Sequence, residues 1–155
     1  QCDIPVLKRA SMFGLFTGLR LSDLLQLKWE NIERSPDGGH CIRLCTEKTE
    51  TEATLPISEE ALQYCGEQGD GLVFKGFKRS MAQHAFMNWV KSAGITKKLS
   101  FHCLRHSFAT ILISLGIDVY VVSKMLTHRS VRTTQIYAEV VGEKKREASN
   151  AITLK

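Results

Sequence analysis

The stretch FHCLRHSFAT, residues 101–110, sets His102, Arg105 and His106 within five positions of a run that is otherwise apolar and helix-like. Positions three apart on a helix share a face, so His102 and Arg105 stand together while Phe101, Leu104 and Phe108 point elsewhere. An arginine on a half-buried helix requires an anion. Either a carboxylate of the chain supplies it, as a structural salt bridge, or a charged ligand does. His102 and His106, four apart, also have the spacing of two zinc ligands. Cys103, however, stands where the metalloprotease pattern needs a glutamate, which argues against a metal.

Three other stretches carry residue types that fit phosphate chemistry. TGLRLSD, residues 17–23, places Arg20 just after a glycine turn at the mouth of a helix. Alone it reads as a surface residue; with Arg105 it would make a two-arginine clamp, because guanidinium forks match phosphate oxygens. Lys48 lies among Glu47, Glu50 and Glu52, where spacing alone gives a solvated loop charge. In MLTHRSVRTTQIYAEV, residues 125–140, His128 falls in a turn between two helices and Tyr137 nine residues later. Tyr137 is either a core tyrosine with its hydroxyl at the rim or a nucleophile. The chain has 3 tyrosines, and Tyr64 and Tyr120 sit in ordinary helical patterns with no cation beside them in sequence.

The elements that must position these side chains follow from periodicity and caps. Residues 5–17 form a buried helix ending near Gly18, and a short helix follows in LSDLLQLKW with Ser22 or Asp23 as its cap. SPDGG at 35–39 is a turn: proline presets φ, aspartate bonds back to the backbone, and glycine tolerates positive φ. It separates a strand near 29–33 from one near 41–46. Ala53, Leu55 and Ile57 alternate on one face of a third strand. The three strands make an antiparallel meander with EKTETE, residues 47–52, at the tip of its second hairpin.

From Ser58 on, the pattern is helical. Ser58 caps a helix whose first turn holds Glu59 and Glu60, where the helix dipole favours negative charge. Ser80 and Gln83 suggest a capping box before Ala82, Ala85, Phe86, Trp89, Val90 and Ala93, and Gly94 ends that run. A helix over about 101–116 comes next. Asp118 then caps VYVVSKML, and Ser130 caps VRTTQIYAEVV. The fold class is mainly α with a small three-stranded antiparallel β-sheet (α+β).

Totals narrow the class. The chain has 155 residues, 43% hydrophobic and 24% charged, values of a globular domain rather than a disordered one. With 21 Lys and Arg against 16 Asp and Glu, the net charge of +5 leans toward a polyanionic partner. No apolar run approaches the ~18 residues that span a bilayer. Five cysteines, an odd number, do not make a disulfide scaffold, and Cys41 with Cys45 lacks a second pair at zinc spacing. The start at Gln1 without a methionine or leader leads us to expect a piece of something longer.

Taken in order, TGLRLSD, EKTE…LPI, HCLRH, LTHRS and TTQIYAEV closely resemble the catalytic domain of tyrosine recombinases, the phage-integrase superfamily. GLFTGLRLSDLLQLKW, VSKMLTH and TTQIYA are similar to integrases of Bacteroides-type mobile elements. The resemblance covers residues 1–155 as one catalytic domain, the helical core-binding and arm-binding domains lying outside this chain. It implies that Arg20 and Arg105 bind the scissile phosphate and that Asp23 supports the first arginine. Lys48 would be the general acid to the leaving 5′-oxygen, and His102 would assist proton transfer at the nucleophile. His128 would hydrogen-bond the phosphate, and Tyr137 would be the nucleophile. His106 is structural. Cys103 departs from the family's aspartate and Thr127 from its glycine.

The same resemblance implies double-stranded DNA as partner, self-association on DNA as a tetramer, and an accessory DNA-bending protein. It implies no cofactor, metal or membrane, and a place with the DNA in a bacterial cytoplasm. Residues 142–155 would be the segment exchanged with a neighbouring protomer, the other reading being a frayed basic tail. Two alternatives stay open. One is a non-enzymatic helix-turn-helix, with Arg132, Thr133 and Thr134 directed at base edges. The other is a type IB topoisomerase-like relaxing enzyme, which shares the chemistry.

Overall fold

The computed structural model describes residues 2–46 and 51–140. Lys48 and residues 142–155 lie outside the described residues. The chain groups into two compact units, Gln1–Phe108 and Ala109 onward, described separately below.

The first unit opens with α1 (Pro5–Thr17), with proline at its start, where a missing N–H costs nothing. It closes on Gly18, whose φ of 67° is left-handed, with its N–H donating to Gly14 O at 2.9 Å. Then α2 (Leu21–Gln26) begins immediately. Its cap differs from the expected one. Arg20 is the capping position, and Asp23, three residues in, accepts the Arg20 backbone N–H on Oδ2 at 3.2 Å. Arg20 is extended (ψ 153°) and the helix already starts at Leu21, so Ser22 and Asp23 lie inside the first turn.

A 3₁₀ turn (Trp29–Asn31) occupies most of the expected first strand, and β1 is only Ile32–Arg34. The Asn31 side chain accepts the Lys28 N–H at 3.0 Å, which winds this segment instead of extending it. Strands β2 (His40–Thr46) and β3 (Thr51–Ile57) complete an antiparallel meander in the order β1-β2-β3. Ile42 stands opposite both Ile32 and Leu55, so one register puts the apolar alternation on the core face. Ile42, Leu55 and Ile57 are buried.

Ser58 caps α3 (Glu59–Gln63), its hydroxyl accepting the Ala61 N–H at 3.1 Å. The Ser80 capping box is not formed. Ser80 is already helical (φ −61°, ψ −34°), and the next five residues, Met81–Ala85, are wound as a π turn that runs into α4 (Phe86–Ser92). A hydroxyl on helical backbone cannot reach forward to the N–H that a capping serine serves.

Aromatic rings fill the core beside the start of α5 (His102–Ser114). The Phe101 centroid lies 5.7 Å from that of Phe77 and 5.3 Å from that of Phe86, and Phe13 meets Phe74 at 5.4 Å. Gly14 lets Leu24 approach closely: a Cβ there would meet Leu24 Cδ1 at 3.1 Å, a tight contact, and Phe101 Cε1 at an ordinary 3.7 Å. Phe101, which directly precedes His102, is thus anchored among these rings.

In the second unit, Asp118 caps α6 (Val119–Met125), its Oδ1 accepting the Tyr120 N–H at 2.7 Å. Ser130 Oγ accepts the Arg132 N–H at 3.3 Å at the start of α7 (Arg132–Val140). Val122 of α6, Leu126 directly after it, and Thr134 and Tyr137 of α7 are buried. No helix among the described residues is long and apolar enough to cross a membrane.

Candidate functional site

Within the first unit, the helix entrances of α2 and α5 bring together residues far apart in sequence. The Arg105 Nη1 donates to Gly18 O at 2.6 Å, across 87 positions. Arg105 is 4% exposed, so its charge is held in place and not waved in solvent. The carbonyl it grips belongs to the turn that leads into Arg20, two residues on. The two guanidinium-bearing segments are thereby tied to each other. Asp23 secures the Arg20 main chain from the other side.

His102 is in electrostatic reach of both arginines. Partial desolvation, then the charges of His106, Arg105 and Arg20, hold its imidazole below the ordinary histidine range. The His102 and His106 rings meet edge to face at 4.6 Å. Cys103 Sγ lies 3.6 Å from Ser100 Oγ, so the cysteine at the aspartate position takes part in starting α5. No group of three or more His, Cys, Asp or Glu suited to a metal ion occurs among the described residues.

The second unit holds His128 and Tyr137. His128 follows Thr127, whose φ of 52° is left-handed, in the turn after α6. The ring Nδ1 of His128 lies 2.8 Å from Thr134 Oγ1. Thr134 is fully buried at 0% exposure and Tyr137 is 7% exposed. These two stand three apart on α7 and share its inward face, while Ile136 is exposed. The histidine turn and the tyrosine are therefore organised by one helix face.

Burial of Thr134 removes one of the three residues that the helix-turn-helix reading directs at base edges. Sequence reasoning missed its bond to His128, because a threonine in a helix carries no local pattern that tells which partner its hydroxyl meets. Tyr120, by contrast, does have a neighbouring cation: Lys124 Nζ lies 5.1 Å from its ring centroid, one helical turn on. That contact was legible as an i, i+4 pair.

A family model for the phage integrase family matches residues 5–143. The chain is 33% identical over 152 residues to tyrosine recombinase XerD of Vibrio cholerae, covering 86% of this chain and 49% of that protein. It is 32% identical over 151 residues to XerD of Halalkalibacterium halodurans, covering 84% and 48%. The chain thus spans about half the length of the curated relatives it matches. Its fold is similar to XerH site-specific recombinase bound to palindromic difH substrate in a post-cleavage complex. There the TM-score is 0.74 at 22% identity, over 94% of this chain and 45% of that one. For the catalytic domain of bacteriophage HP1 integrase the TM-score is 0.70 at 23% identity, over 92% and 80%. At these identities the structural likeness is one of fold.

Proposed function

Because the chain belongs to the phage integrase family, we propose that it is the catalytic domain of a site-specific DNA recombinase that cuts and rejoins strands through a 3′-phosphotyrosyl link. The observation that carries this reading is the clasp between Arg105 and the Gly18 turn, which sets two arginines and His102 around one region. A pentacoordinate phosphorane bears more negative charge than the diester it comes from. Fixed guanidinium groups therefore favour the transition state over the ground state.

Tyr137 Oη attacks the phosphorus and the bond to the 5′-oxygen breaks. The phenol proton leaves toward His102, whose own protonation is disfavoured by partial burial and by its cationic neighbours. Lys48 protonates the departing 5′-oxygen, and His128 donates a hydrogen bond to a non-bridging oxygen. The phosphotyrosyl ester conserves the bond, so a 5′-hydroxyl from another strand reverses the step without ATP. Double-stranded DNA is the substrate, and the net charge of +5 suits it. Assembly of four protomers on DNA, assistance from a DNA-bending protein, exchange of residues 142–155 between protomers and a bacterial cytoplasmic location belong to the same proposal.

The test is a nicked suicide duplex incubated at low salt. A denaturation-resistant protein–DNA adduct is expected, absent in Tyr137→Phe and unchanged by EDTA. Lys48→Ala should lose cleavage of ordinary DNA and regain it on a 5′-bridging phosphorothiolate, whose thiolate leaves without a proton. An adduct that persists in Tyr137→Phe refutes the nucleophile, and a missing rescue refutes the acid.

A further inference from the structure

His128 is held from both helices that flank it. Its backbone N–H donates to Ser123 O at 3.0 Å and the Thr127 N–H to Lys124 O at 2.9 Å, both at the end of α6. Its ring meets α7 through the 2.8 Å contact between Nδ1 and Thr134 Oγ1. Thr134 is sealed from solvent, so its hydroxyl proton cannot be given to bulk water and needs an acceptor inside the protein. Among the described residues, the group that hydroxyl meets at hydrogen-bond distance is Nδ1 of His128.

Nδ1 accepts a proton only when it carries none. In the neutral ring the hydrogen must then reside on Nε2, since one nitrogen's hydrogen bond decides the other's state. We propose that Thr134 is a positioning residue that fixes His128 as the Nε2–H tautomer, turning a donor toward the side of the ring facing away from α7. The inference rests on the reading of His128 as a donor to a phosphate oxygen. Phosphate ester oxygens offer lone pairs only, so the opposite tautomer would set lone pair against lone pair. A helical threonine has a ready alternative acceptor, the carbonyl four residues back. If the hydroxyl took that route, Nδ1 would carry the hydrogen and Nε2 would present a lone pair.

The tautomer is read directly from long-range ¹H–¹⁵N spectra of the ¹⁵N-histidine-labelled chain, above the pH at which His128 titrates. Wild type should show a protonated Nε2 and a bare Nδ1. Thr134→Val, nearly the same shape without the hydroxyl, should relax the tautomer ratio by about fivefold, the weight of one ordinary hydrogen bond. Thr134→Ser should keep the wild-type pattern. A wild-type ring protonated at Nδ1 overturns the proposal, as does a Val spectrum identical to wild type. If Val fails to fold, wild type and Ser still decide it.

Adduct formation on the suicide duplex supplies the functional half. Ser should react like wild type and Val several-fold more slowly. Equal rates in Val and wild type would refute the positioning role. Expected tautomers with no adduct from any form would refute the recombinase reading instead, leaving the Thr134–His128 assignment intact.

Discussion

Replacing Thr127 by glycine should stabilise the chain. Thr127 has φ 52°, in the left-handed region, and it is β-branched, the side-chain type least at ease there. Holding an L-residue in that conformation costs ~1–2 kcal/mol. Glycine removes this cost but returns ~0.4–1 kcal/mol to the unfolded chain as added freedom. The net gain is ~0–1.6 kcal/mol, and its midpoint near ~0.8 kcal/mol raises Tm by about 2–3 °C for a chain of this size. Asparagine tolerates the same φ without glycine's unfolded-state freedom, so Thr127→Asn should match or exceed glycine. Thermal unfolding followed by circular dichroism ranks the three proteins. If both variants melt at or below wild type, the turn is not strained, and the Thr127 side chain contributes more than its conformation costs. The result also bears on His128, because the Thr127 N–H to Lys124 O bond sets the turn from which that ring projects.

Three further outcomes follow from burial and charge. Phe101→Ala should cost ~3–5 kcal/mol in urea unfolding, since its ring packs between those of Phe77 and Phe86; a loss under ~1 kcal/mol would mean that it does not anchor α5. Ser11→Ala should leave stability unchanged or raise it by ~1 kcal/mol. The Ser11 hydroxyl is buried with no hydrogen-bond partner among the described residues, and a clear loss would reveal one. An NMR titration should place the His102 midpoint below the ordinary ~6.5, and His106→Gln should raise it by removing one neighbouring cation. The unfolded chain then binds the proton more readily than the folded one, so His102 lowers stability as pH falls through the ordinary histidine value. A midpoint at or above that value would contradict the cation cluster.

Much of the frame was legible in the residues. Gly18, Ser58, Gly94 and Asp118 mark helix ends because capping and left-handed turns are decided by one or two neighbours. The alternation of Leu55 and Ile57 was likewise enough to orient β3. Local signals failed where two of them competed. Asn31 wound most of the segment expected as the first strand, and Ser80 entered the helix it was expected to cap.

The candidate residues Arg20, His102, Arg105, His128 and Tyr137 were singled out from ordered motifs, since each sits in a distinctive neighbourhood. Their support was not. That Arg105 grips the Gly18 carbonyl across 87 positions, and that Thr134 turns inward to meet His128, depend on which surfaces pack together. Sequence by itself determined the helix and strand segments, most of their caps and the residue types available for chemistry, because these depend on neighbours within a turn or two of chain. Only tertiary packing decided which polar groups are buried. A buried donor or acceptor must find a partner wherever the fold brings one, and no local pattern encodes that distance.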